Sequence, residues 1–74
     1  MWANALDLFT QKRVIQFAKQ FRQRSAQFPI LRDFEAAGFT KEQVQRTVKN
    51  KQLVEVYVTL TNGATAKGFK AAEP

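Results

Sequence analysis

The side chains able to do chemistry in this chain are its cations and its amides. Cysteine and histidine are both absent. That excludes disulfides, thiol chemistry and the usual zinc ligand sets. The six acids, Asp7, Asp33, Glu35, Glu42, Glu55 and Glu73, are scattered along the chain. Asp33 and Glu35 stand two apart, a spacing that does not turn two side chains to one point on a helix. An enzyme is therefore not expected, and neither is a cofactor, a metal or a small-molecule ligand. The positive charge is the informative part, with 12 Lys and Arg against six acids and a formal net charge of +6.

That charge is concentrated. Lys12, Arg13, Lys19, Arg22 and Arg24 fall between Gln11 and Ser25 with no acid among them. Lys41, Arg46, Lys49 and Lys51 stand against the single acid Glu42. Basic faces of this kind attract polyanions, of which nucleic acid is the commonest in a cytosol. The same charges would also serve a plain solvated surface that keeps a small domain in solution.

The elements that must position these cations follow from periodicity. Val14, Phe17, Ala18, Phe21 and Ser25 share one side of a helix expected over residues 10–27, with Thr10 as its N-cap. Lys12, Gln16, Lys19 and Gln23 take the opposite side. Trp2, Leu6, Leu8 and Phe9 form an apolar segment before it, read as a short separate helix or as an arm that packs on a second chain. Pro29 biases Phe28 toward an extended conformation. A short second helix is expected over residues 30–37, with Ile30 or Leu31, Phe34 and Ala37 inward, ended by Gly38 at positive φ.

Thr40-Lys41-Glu42-Gln43 matches a capping box and opens a third helix. Val44, Thr47, Val48 and the stem of Lys51 line its inner side. Glu42, Gln45, Arg46, Lys49 and Asn50 point the other way. The period then changes to two. Residues 53–60 read as a strand, Asn62-Gly63 as a two-residue type I′ turn, and residues 64–70 as the returning strand. That register sets Tyr57 opposite Gly68 and Val56 opposite Phe69. The expected fold class is α+β, three helices followed by a β-hairpin, in one domain over residues 1–70, with residues 71–74 as a loose tail.

Gly38, Phe39, Thr40 and Val44 fill in order the turn glycine, the apolar plug, the cap and the apolar position four residues after the cap. This stretch resembles the helix-turn-helix of bacterial and phage regulators, and the element order is similar to that of their winged-helix members. The resemblance implies a small transcription or replication regulator, of phage, plasmid or bacterial type, that binds duplex DNA in the cytoplasm. The third helix would lie in the major groove and the hairpin would act as a wing. Gln45, Arg46, Lys49 and Asn50 are then the candidates for base edges and phosphate, because Arg can read guanine and Gln or Asn adenine. Thr40 and Lys41 at the helix start, and Lys67 on the wing, would hold phosphate.

Trp2, Leu6, Leu8 and Phe9 suggest a homodimer on paired half-sites. Two other functions compete. One is a protein-interaction module of the same fold without DNA binding, and the other is membrane-surface binding by the basic first helix. No run of about 18 apolar residues is present, so no membrane span is expected, and residues 1–4 do not read as a signal peptide.

Overall fold

The computed structural model describes residues 2–72, and the side chains of residues 8–72. Helix α1 spans Trp2–Arg24, α2 Leu31–Ala36 and α3 Lys41–Lys49, followed by strands β1, Leu53–Thr59, and β2, Thr65–Ala71. Three helices followed by an antiparallel hairpin is the layout of a winged helix.

Helix α1 runs unbroken through Thr10, which is half-buried inside the helix and does not cap it. No glycine or proline interrupts residues 2–24, so nothing forces the chain to restart at Thr10. The expected arm or separate helix before it is the first part of α1. The helix ends at Arg24, earlier than expected, with Arg22 and Arg24 in its last turn, where cations oppose the negative end of the dipole.

The linker after α1 is a structural element. Pro29 is buried, and its carbonyl accepts the Phe69 amide at 2.9 Å. Ile30 bridges to Gly68 antiparallel. The side chain of Gln27 donates from Nε2 to the Thr59 carbonyl at 2.8 Å. The linker thus covers an edge of the hairpin that would otherwise offer unpaired backbone groups.

Helix α2 begins where Asp33 Oδ2 accepts the Ile30 amide at 2.9 Å. It ends in a Schellman turn. The Gly38 amide, at φ +98, donates to the Glu35 carbonyl, and the Phe39 amide donates to the Phe34 carbonyl, each at 3.0 Å. Phe34 and Phe39 also meet edge to face with centroids 6.2 Å apart, the hydrophobic contact that accompanies this turn. Ala37, expected to face inward, is exposed, because it is already the C-cap.

Helix α3 carries the expected capping box. Thr40 Oγ1 accepts the Gln43 amide at 3.1 Å, and Gln43 Oε1 accepts the Thr40 amide at 2.9 Å. Its far end is a second Schellman turn with Lys51 in the position that glycine favours, at φ +63. The amides of Lys51 and Gln52 donate to the carbonyls of Val48 and Thr47. Lys51 is therefore exposed outside the helix, and its stem does not line the inner face.

The hairpin departs from the expected register by one residue. Val56 faces Gly68 and Tyr57 faces Lys67. The connection is a type I turn followed by a G1 bulge: Gly63 at φ +86 donates to the Leu60 carbonyl, and the Leu60 amide donates to the Ala64 carbonyl. Asn62 stays out of positive φ, which a type I′ turn would require. Strand β2 also continues through Ala71, which is buried and pairs with Leu53, so residue 71 belongs to the sheet and not to a tail.

The core gathers Val14 and Ala18 of α1, Phe34 of α2, Val44 of α3, and Leu53 and Phe69 of the hairpin. Phe34 is its centre, with ring centroids 5.0 Å from Phe17 and 5.7 Å from Phe69. Aromatic pairs at such distances contribute beyond the area they bury.

Candidate nucleic-acid interface

Val44 and Thr47 are buried on the inner side of α3, and this sets which side chains face out. Lys41, Gln45, Arg46 and Lys49 are all exposed. The hairpin stands beside the same helix because Leu53 and Phe69 at its root belong to the core. Between helix and hairpin lies an open groove of about 550 Å³. Its floor is apolar, from Leu31, Val44, Val48 and Phe69. Its polar rim is Lys41, Gln45 and Lys49 from α3, with Glu55 and Lys67 from the hairpin.

Four of the seven sequence candidates, Lys41, Gln45, Lys49 and Lys67, therefore meet around one groove. Arg46 is exposed on α3 but does not line the groove. Thr40 uses its hydroxyl on the Gln43 amide. The capping box takes the amides of Thr40 and Gln43 and leaves those of Lys41 and Glu42 at the positive end of the helix dipole. Asn50 serves the fold, since its Nδ2 donates to Gln11 Oε1 on α1 at 3.0 Å. The side chain expected to read a base edge is turned toward its own protein.

Lys67 is not an isolated cation. Its Nζ lies 3.5 Å from Glu55 Oε2, and both side chains are about half exposed. A pair this open contributes little to stability, but it places a carboxylate at the rim of a basic groove.

Tyr57 escaped the sequence reading. The expected register covered Gly68 with it, whereas the actual one leaves it 84% exposed, beside Lys67. The signal available was the alternation of the strand, which sets Tyr57 with the exposed Glu55 and Thr59, on the face opposite the buried Val58.

Among the described residues no group of His, Cys, Asp or Glu is arranged to hold a metal ion. No helix among the described residues is long and apolar enough to cross a membrane. Of the Phe residues of α1, the half-buried Phe17 lies against Phe34 and Phe39 and Phe21 against Phe17, whereas Phe9 is exposed. The chain matches no model of a known protein family, no curated protein and no solved structure.

Proposed function

We propose that this protein binds duplex DNA through α3 and the hairpin and acts as a small transcription or replication regulator in the cytoplasm. The observation that carries this reading is the groove itself. Lys41, Lys49 and Lys67, from two separate elements, line one open concavity beside an exposed helix face. Lys41, Lys49 and Lys67 hold phosphate, Gln45 reaches a base edge, and Arg46 on the outer face of α3 pairs with a guanine or with the backbone. Tyr57 lays its ring against the sugar–phosphate wall beside Lys67. The test is titration of duplex DNA with the native protein and with a Lys41→Ala/Lys49→Ala variant. Weakened binding at an unchanged melting temperature supports the reading. Binding equal to that of the native protein overturns it.

A second reading rests on Leu8 and Phe9, which are 53% and 63% exposed on the first part of α1. Apolar side chains at such exposure suit a protein contact, with a second copy on paired half-sites or with another protein. Trp2 and Leu6, expected to share that contact, have side chains outside the described residues. Sedimentation of the native protein and of a Phe9→Asp variant separates these cases. Loss of a dimer in the variant assigns the patch to self-association, and a monomeric native protein assigns it to another partner.

A further inference from the structure

A second basic groove lies on the other side of the hairpin. It has a volume of about 420 Å³, and its cations are Lys19 and Arg22 of α1 and Lys70 of β2. No acid lines it, and none occurs between Leu8 and Leu31 or in β2. The α3 groove, in contrast, carries Glu55. Neither Lys19 nor Lys70 has an ion-pair partner among the described residues.

Arg22 is pre-positioned there. Its guanidinium carbon sits 4.9 Å from the centroid of the Phe28 ring, and Nη1 donates to the Ser25 carbonyl at 3.4 Å. Stacking on an aromatic face fixes a guanidinium without neutralising it. The hydrogen bond uses one of its five N–H donors.

We infer that this groove binds the phosphate backbone of a second stretch of duplex, so that one chain joins two DNA segments. The inference rests on the proposed DNA binding at α3. Lys67 and Lys70 stand three apart on β2 and so project from opposite faces of the hairpin. Lys67 opens to the α3 groove and Lys70 to the α1 groove. A duplex seated against one face would have to bend sharply to reach the other, and DNA resists bending over lengths of about 150 bp. The α1 groove offers three cations, one of them braced on an aromatic ring, and no acid, which suits phosphate without sequence preference.

The test uses one duplex tethered to beads and a second, fluorescent duplex free in solution. The native protein is expected to capture the fluorescent duplex on the beads. A Lys19→Gln/Lys70→Gln variant is expected to lose capture to background. Its affinity for a single duplex should stay within about threefold of native, since the α3 contacts that dominate at one duplex are untouched. Both lysines are exposed, and an unchanged melting temperature checks that the variant folds. Capture by the variant at the native level overturns the inference, because the joining then arises elsewhere, as in a dimer. Native protein that binds one duplex without capturing a second also overturns it and leaves the α3 reading standing. Failure of the native protein to bind any duplex overturns both.

Discussion

Gln11 of α1 is 1% exposed, and its Oε1 accepts a hydrogen bond from Nδ2 of Asn50, the C-cap of α3, at 3.0 Å. The two residues are thirty-nine apart in sequence. The bond ties the end of the proposed reading helix to the longest helix of the fold. It adds to the packing of Val14 and Ala18 against Val44 that already holds the two helices together.

Truncating Gln11 removes this bond and leaves a void between two helices. Gln11→Ala is expected to lower stability by about 1–3 kcal/mol. Each kcal/mol corresponds to a drop of about 4–8 °C in melting temperature for a domain of this size. Asn50→Ala is expected to lose about 1 kcal/mol and to leave duplex affinity within about twofold, since its amide faces α1. Thermal melting and DNA titration of the two variants check this. A large affinity loss in Asn50→Ala at native stability would return that residue to the reading surface.

Gly68 lies where the hairpin is overlaid by the linker. A Cβ there would collide with Val58 Cγ2 and approach the Pro29 carbonyl oxygen to 3.3 Å. Gly68→Ala is expected to destabilise by about 1–3 kcal/mol through overpacking. Adding Val58→Ala makes room and should make the double variant more stable than the sum of the two single losses predicts. A double-mutant cycle by melting measures that coupling.

Lys51 holds a left-handed conformation that glycine adopts freely. Leaving that region as an L-residue is worth about 1–2 kcal/mol, and the greater freedom of glycine in the unfolded chain offsets part of it. Lys51→Gly is expected to raise stability by about 0.5–1 kcal/mol, read as a higher melting temperature.

Glu55 places a negative charge at the rim of the α3 groove and holds Lys67 at 3.5 Å. Glu55→Gln removes the charge and releases the lysine. Stability should stay within about 0.5 kcal/mol, as for other exposed sites. Duplex affinity should rise, and it should rise most at low salt, where exposed charges are least screened. An affinity that falls would show that Glu55 positions Lys67 on the DNA.

The sequence made α2 and α3 legible because their signals are local, whereas the start of α1 was not, since a helix that runs on through Thr10 leaves no cap to read. The box between Thr40 and Gln43, the positive φ of Gly38 and the buried Val44 all depend on neighbours within one or two turns. The hairpin register is not local. Asn62-Gly63 suits both a two-residue type I′ turn and a type I turn with a G1 bulge. The choice belongs to distant residues: Phe69 must reach Phe34, and only a residue without Cβ fits between Val58 and the Pro29 carbonyl. A slip of one residue exchanges the two faces of a strand, which is why Tyr57 was misplaced. Gln11 stands three before Val14 and seven before Ala18, on the same stripe. Its polarity hid its burial, although its spacing marked it. The site was legible as a set of cations, and its assembly around a groove followed only once the hairpin was placed.

The central claim is that the cations around α3 and the hairpin grip the phosphates of duplex DNA. Its most direct test is the affinity for a random duplex measured over a range of salt concentrations. If the interface neutralises about four phosphates, the plot of log K against log salt should have a slope near −3.6, at roughly −0.9 per phosphate. Lys49→Ala should weaken binding to all sequences and make the slope shallower by about 0.9. No detectable binding at low salt, or an affinity that does not change with salt, would contradict the account.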